Sequence, residues 1–178
     1  MELADWIDNA ATVLETLGSD KNLLVASSMG GWIALWLASQ KTFADKISGL
    51  LLLAPAVNFL RPHYQQIYAK LPTEDQQRLD RGEVVHIEWD EDRDLAVRRS
   101  FVERSSHFEL DLSKQINVTC PVTILHGVKD EEVPYKATDS SSINIMMNMV
   151  MRMMMTIMMT MTIMMTMTMT MTLTITIR

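Results

Sequence analysis

The chain has 178 residues, a net charge of −6 and a single cysteine, Cys120. This length is enough to bury the core of one domain. Residues 1–139 hold all 22 acidic residues and 14 of the 16 basic ones, which gives that part a net charge of −8. The acidic balance argues against a nucleic-acid partner, and one cysteine excludes both an internal disulfide framework and a cysteine-based zinc site.

The first predicted element is an amphipathic helix over residues 3–17. Its apolar residues recur at the 3-4-3-4 spacing of a helix with one buried face, at Leu3, Ile7, Ala10, Leu14 and Leu17. Gly18 is placed to end the helix. The chain opens directly on this pattern, with no signal peptide, and we therefore expect a preceding part to be absent.

Residues 23–39 carry the most informative pattern. Residues 23–26 form an apolar run suited to a buried strand, Ser27-Ser28-Met29-Gly30-Gly31 predicts a sharp turn, and residues 32–39 predict an apolar helix. A strand, a tight turn around a serine and a helix is the arrangement that presents a nucleophilic serine at the end of a parallel strand. The glycines allow the turn to close and the helix to pack on the strand. The serine at the tip of the turn is Ser28.

Two more buried strands are predicted, at residues 47–54 and 122–125, after a polar loop at residues 40–46. Continuous apolar runs of this kind indicate strands that are covered on both faces, as in parallel sheets. The first two strands and the helix between them form a βαβ unit with an expected right-handed crossover. The sequence therefore predicts an α/β fold with about three parallel strands flanked by helices.

Residues 58–112 are polar, charged and helix-prone. We predict helices at residues 62–70, 73–80 and 94–107, an extended piece at residues 84–87, and a solvated helix start at Asp90-Glu91-Asp92. We interpret this insertion as a helical lid over a site at the strand ends. The alternative is a surface excursion with no role in substrate binding.

An acidic residue, Asp130, follows the third strand just as Ser28 follows the first. Sites in open α/β sheets form at the carboxyl ends of the strands. A serine nucleophile needs a base and an acid that orients the base, so Ser28 is the candidate nucleophile and Asp130 the candidate acid. The backbone N–H of Met29, the residue after the serine, is the candidate oxyanion donor.

These motifs together resemble the α/β-hydrolase superfamily. The matching stretches are Ala26 to Trp32 around Ser28, Leu52-Leu53-Ala54-Pro55-Ala56, and His126 to Pro134 around Asp130. The Ser-Ser-Met-Gly-Gly-Trp form, with Glu103-Arg104-Ser105-Ser106-His107, is similar to the branch of mitochondrial palmitoyl-protein thioesterases and acyl-glucuronide esterases. The resemblance covers residues 3–139. It implies a serine esterase or thioesterase that acts on a small-molecule or acyl-protein ester without a cofactor or metal.

The resemblance also implies parts that this sequence does not show. Alanine stands at position 26, where glycine is usual, and the strands that supply a second oxyanion donor are missing. The family's catalytic histidine should follow Asp130, but no histidine follows His126, so no base is identified. We expect structural roles for His126, beneath the acid loop, and for His107, while His63 and His86 are expected at the surface. Two hypotheses remain: a serine hydrolase, and a catalytically inactive fragment or binding module.

The last residues differ from the rest of the chain. From position 143 onward the sequence holds 15 of the 17 methionines and nine threonines, and residues 165–177 alternate apolar residues with threonine. A translated simple repeat without function is the favoured interpretation. The alternatives are an aggregation-prone strand, a bilayer span over residues 153–177, and a Cu(I) site of thioethers.

The sequence thus divides into a hydrolase core at residues 1–57, a lid insertion at 58–112, a core strand with the acid loop at 113–139, and the low-complexity segment at 140–178. A membrane partner is not expected, and no oligomeric state is predicted. The resemblance implies a mitochondrial location, whereas the absence of a targeting segment favours the cytoplasm. An unpaired apolar edge on the first strand predicts poor solubility.

Overall fold

A computed structural model of the chain describes residues 2–90 and 93–134; the side chains of Trp89, Asp90 and Arg93 are not described. The predictions made for the low-complexity segment, residues 140–178, lie outside the described residues. So do those for Glu91 and Asp92.

The described residues form six α-helices and five strands. The helices are α1 (Leu3–Thr16), α2 (Met29–Ser39), α3 (Lys41–Ala44), α4 (Leu60–Lys70), α5 (Thr73–Asp80) and α6 (Arg99–Ser105), followed by a 3₁₀ turn at Ser106–Phe108. The strands are β1 (Asn22–Ser27), β2 (Ile47–Leu53), β3 (Val85–Asp90), β4 (Arg93–Val97) and β5 (Val122–Leu125). The predicted α/β class is confirmed, and α3 replaces part of a predicted loop.

Strands β1, β2 and β5 form one parallel sheet in the order β1-β2-β5. Ser27 pairs with Leu53, and Leu53 pairs with Leu125, so the carboxyl ends of the three strands lie level. Ser28 and His126 each follow one of these ends directly. The sheet therefore brings the serine turn and the acid loop to one edge, two strand spacings or roughly 10 Å apart.

The main core lies between this sheet, α1, α2 and the segment that returns from the lid. Helix α2 carries apolar residues on nearly all sides, and neighbouring elements cover nearly all of them. Trp32 and Leu35 are at most 1 % exposed. Helix α1 buries Leu3, Ile7 and Leu14 of the predicted face, but Leu17, also predicted on that face, follows the end of the helix and is 80 % exposed. Burial of such side chains supplies the dominant favourable term in folding.

Strand β1 has a free edge in the described part of the chain, because β2 is its only partner there. Its burial alternates along the strand, and Leu23 and Val25 remain 64 % and 60 % exposed. The prediction of an unpaired apolar edge is confirmed for these residues. Poor solubility stays a prediction.

Residues 58–112 are called the lid region below, although their role as a lid stays a prediction. The structure of this region differs from the predicted one around β4. The predicted helix over residues 94–107 is wrong in its first part, because Arg93–Val97 is strand β4, which pairs antiparallel with β3. Leu95 and Val97 point to the same side two residues apart, and Val97 packs with Val85 and Leu79 in a small core of the lid. This period of two fits a strand rather than a helix. Asp90, predicted at a helix start, ends β3 instead.

Candidate active site

The turn at Ser28 has the backbone geometry of a sharp strand-to-helix elbow. Ser28 adopts φ 51° and ψ −126°, a region that few non-glycine residues occupy. Its N–H donates to the carbonyl of Leu53 at 3.0 Å, and its own carbonyl accepts from Gly31 at 2.9 Å and Ala56 at 3.0 Å. These bonds hold the strained turn between β1 and β2. The Ser28 side chain is exposed at the carboxyl edge of the sheet.

Close packing behind the elbow explains the second glycine of the motif. A β-carbon at Gly31 would lie 2.5 Å from the Pro55 β-carbon, whereas one at Gly30 would meet only Ala26, at 3.8 Å. Gly31 thus lets α2 approach the loop after β2.

Met29 begins α2, so its backbone N–H has no acceptor within the helix. The N-terminus of a helix also carries a partial positive charge. An N–H at this position, one residue after the serine, is suited to stabilising a negatively charged oxygen.

The acid loop is held by its own hydrogen bonds. Asp130 donates its N–H to the Gly127 carbonyl at 3.1 Å, and its Oδ1 accepts from the Val133 N–H at 2.9 Å. The His126 Nε2 lies 2.6 Å from the Val133 carbonyl oxygen and 3.5 Å from Asp130 Oδ2. The His126 side chain is only 7 % exposed. These contacts place His126 beneath the loop that carries Asp130.

No hydrogen bond reaches the Ser28 hydroxyl from any residue that the structure describes. His126 contacts the Val133 carbonyl in the acid loop, and His86 and His107 are exposed in the lid region. His63 differs from its expected surface position. It is half-buried on α4, where its ring lies 6.2 Å from that of Phe59.

A cavity of about 690 Å³ lies between α1, the lid elements and Met29. Ten of its 15 lining residues are apolar, and they include Trp6, Met29, Phe59 and Phe101. Its size falls within the range of ligand pockets in proteins, which are mostly apolar with a few polar groups. Met29 connects the cavity to the elbow, because it directly follows Ser28.

Two contacts tie the lid to the core around this cavity. The indole N–H of Trp32 on α2 donates to the Phe108 carbonyl at 2.9 Å. Asn58, in the left-handed region at φ 55°, donates to the Leu110 carbonyl at 2.7 Å and accepts from the Leu110 N–H at 3.0 Å. The segment that leaves the lid is therefore fixed beside the elbow.

The titratable groups near the cavity include one buried hydroxyl. Burial raises the pKa of Tyr64, and its hydroxyl finds no hydrogen-bond partner among the described residues. Elsewhere, burial also raises the pKa of the Cys120 thiol, which keeps it protonated at neutral pH. Within residues 2–90 and 93–134, no three His, Cys, Asp or Glu side chains are grouped as a metal site would require.

The family model for the alpha/beta hydrolase fold matches residues 1–88. The chain has an α/β-hydrolase fold. The three-stranded parallel sheet, the Ser28 elbow and the insertion before β5 all lie in the described residues.

The chain also resembles one group of curated hydrolases. It is 32 % identical over 133 residues to the mouse protein named mitochondrial palmitoyl-protein thioesterase ABHD10 and 30 % identical over 135 residues to the human protein of that name. These matches cover 74 % and 75 % of this chain but 42 % of each relative, so the chain spans about two fifths of their length.

Solved structures agree with this resemblance. The structure of alpha/beta hydrolase domain-containing protein 10 from mouse aligns with a TM-score of 0.64 at 28 % identity, over 83 % of this chain and 57 % of that one. Est1E from Butyrivibrio proteoclasticus aligns with a TM-score of 0.50 at 19 % identity, over 83 % of this chain and 60 % of that one, which shows the fold alone. No helix in the described ranges combines the length and apolar character needed to span a bilayer.

Sequence patterns predict Ser28, Met29 and Asp130 as site residues, and these roles stay predictions, but the patterns missed the cavity. Its walls come from five elements, α1, α2, α4, β4 and α6, and only α4 carried a local signal. There, Leu60, His63, Tyr64 and Ile67 recur at helical spacing and all line the cavity.

Proposed function

We propose that this α/β-hydrolase chain carries the reacting groups of a serine hydrolase that cleaves acyl thioesters or carboxylic esters. The observation that carries the proposal is the Ser28 elbow, which combines φ 51° with an exposed side chain at the carboxyl end of β1. Proteins hold a serine in such a strained turn where its hydroxyl must be presented for attack. The ABHD10 relatives, named as palmitoyl-protein thioesterases, favour an acyl substrate.

The proposed chemistry assigns one step to each group. The Ser28 hydroxyl attacks the acyl carbonyl and forms an acyl-serine as the alcohol or thiol leaves, and water then hydrolyses the acyl-serine to the free acid and the Ser28 hydroxyl. The Met29 N–H stabilises the oxyanion, and an N–H in this role typically contributes about 10²–10³ in rate. Asp130 orients the base that takes the serine proton. No residue is assigned as that base.

The cavity is the proposed site of the acyl group. Its apolar wall suits a hydrocarbon chain, and Met29 places the wall next to the nucleophile. Both a small-molecule ester and an acylated protein fit this arrangement, since only the acyl part needs to enter the cavity. The names of the relatives support the mitochondrion as the proposed location.

A fluorophosphonate probe tests the nucleophile directly. We expect the full chain to be labelled on Ser28, with loss of labelling in Ser28→Ala and retention in Ser27→Ala, the neighbouring exposed serine. Peptide mapping identifies the labelled residue. Equal labelling of wild type and Ser28→Ala would remove Ser28 as the nucleophile.

A second function is ligand binding without turnover. It is favoured by the lack of a hydrogen-bond partner for the Ser28 hydroxyl among the described residues. No described residue forms a hydrogen bond with it, so no base in this part activates it. An unactivated serine is a weak nucleophile. Binding of an acyl thioester without release of its thiol would favour this second function over hydrolysis.

A further inference from the structure

His126 lies at the junction between the parallel sheet and the acid loop. It directly follows Leu125, the last residue of β5, and its side chain is only 7 % exposed. Residues 127–134, which carry Asp130, form no helix or strand. A loop of this kind moves more than the elements it connects unless side chains fix it. The contacts of His126 therefore bear on where the Asp130 carboxylate is held.

One residue of the loop, Val133, connects His126 to Asp130. The Val133 carbonyl oxygen lies 2.6 Å from His126 Nε2, and the Val133 N–H donates to Asp130 Oδ1 at 2.9 Å. A carbonyl oxygen can only accept, so His126 Nε2 carries the proton of this hydrogen bond. Because this nitrogen donates, it does not serve as the base that takes the serine proton.

The two oxygens of the Asp130 carboxylate have different surroundings. Oδ1 accepts from Val133, whereas Oδ2 lies 3.5 Å from His126 Nε2, a distance longer than an ordinary hydrogen bond. Both side chains are largely buried, and a low local dielectric strengthens the attraction between an N–H group and a carboxylate. His126 thus acts on Asp130 in two ways, through the Val133 main chain and directly.

We propose that His126 is a positioning residue for the Asp130 carboxylate. By donating to the Val133 carbonyl, it ties the far end of the acid loop to the end of β5, and the Val133 N–H then fixes Oδ1. This inference rests on the proposed function, which gives Asp130 the task of orienting the base. A carboxylate that is already held in one orientation loses no further side-chain freedom when it orients that base.

Two substitutions separate the hydrogen bond from the packing of the side chain. Glutamine carries its amide nitrogen as many bonds from the backbone as histidine carries Nε2, so His126→Gln keeps a donor, whereas His126→Leu fills the buried site without one. The two Hα–Hβ couplings of Asp130, measured by NMR on the full chain, report its χ1 rotamer. We expect one rotamer in wild type and in His126→Gln, and its loss to averaging in His126→Leu. His107→Leu is the matched control, since His107 is exposed outside the acid loop, and it should keep the wild-type couplings.

The rate at which the fluorophosphonate probe labels Ser28 tests the same link in the reaction. His126→Leu should slow labelling about tenfold, within the usual coupling between residues of one hydrogen-bond network, and His126→Gln should not. Asp130→Asn removes the charge that orients the base, so adding His126→Leu to it should slow labelling no further. A further tenfold loss in the double variant would overturn the inference, because His126 would then act without Asp130.

The couplings of Asp130 can be measured whether or not Ser28 reacts. Wild-type couplings in His126→Leu would overturn the inference, and so would averaged couplings in His126→Gln, because the donor would then not matter. Absence of probe labelling in the wild type would instead remove the proposed nucleophile, and the couplings would still decide whether His126 holds Asp130. Thermal melting checks that each variant folds. If His126→Leu does not, His126→Met replaces it, since methionine also lacks a donor and adapts to irregular gaps.

Discussion

Gly31 packs directly against Pro55, so closely that a β-carbon at position 31 would lie 2.5 Å from the proline β-carbon and 3.0 Å from its α-carbon. The contact joins the first turn of α2 to the loop after β2. Because the carbonyl of Ser28 accepts from the N–H groups of Gly31 and Ala56, the same contact fixes the nucleophile. The elbow therefore depends on a packing relationship as well as on its own backbone.

Gly31→Ala should destabilise the chain by about 1–3 kcal/mol, the usual cost of forcing extra volume into a packed site. Gly30→Ala is the matched control, since its β-carbon would make an ordinary contact of 3.8 Å with Ala26. Alanine is also the better helix former, so Gly30→Ala should be neutral or stabilising by up to about 1 kcal/mol. Urea denaturation measures both free energies of unfolding. Equal stabilities would show that Pro55 yields to the new methyl group.

Ser28 stores backbone strain that glycine should relieve. A non-glycine residue in such a region costs of order 1–3 kcal/mol, while glycine costs about 0.5–1 kcal/mol more in unfolded-chain entropy. The Ser28 side chain makes no cap hydrogen bond to α2, so its loss carries little cost of its own. We expect Ser28→Gly to be about 1 kcal/mol more stable than Ser28→Ala in the same urea titration. A less stable Ser28→Gly would mean that the turn is unstrained.

The elements that were predicted correctly are those with strong local patterns. The apolar run of β2 and the serine turn are readable because a buried parallel strand and a sharp turn each restrict composition. Residues 94–97 are predicted as helix but form part of β4, because their strand character depends on pairing with β3, which a helix-prone composition hides. The cavity was not predictable, because it forms where Trp6, Met29 and Phe101 meet through tertiary packing.

In the candidate site too, local sequence patterns predict some features, whereas tertiary packing creates others. Ser28 and Asp130 follow strands, so topology brings them to one edge. His63 is expected at the surface, but the structure places it half-buried in the cavity wall, because α4 packs against α6. The sequence identifies candidate site residues, whereas tertiary packing determines which of their side chains face each other.

The acid loop should depend on Asp130 as an acceptor rather than as a charge. Oδ1 accepts from the Val133 N–H, and asparagine keeps an oxygen at that position, whereas alanine does not. We expect Asp130→Ala to raise the hydrogen-exchange rate of the Val133 amide about fivefold to tenfold, as the loss of a hydrogen bond worth about 1 kcal/mol implies. Asp130→Asn should leave that rate near the wild-type value. If both variants exchange alike, His126 alone holds the loop.

Asn58 should fix the segment that returns from the lid through both its side chain and its backbone. Asn58→Ala removes two hydrogen bonds to Leu110, each worth about 0.5–1.5 kcal/mol, and puts alanine at φ 55°, which adds about 1–2 kcal/mol. Asn58→Gly loses the same two hydrogen bonds, but glycine adopts φ 55° without that steric cost. We therefore expect stability to fall from wild type to Asn58→Gly and further to Asn58→Ala in urea denaturation. Both variants should speed exchange of the Leu110 amide. An Asn58→Ala as stable as wild type would show that the Trp32–Phe108 bond holds this segment without Asn58.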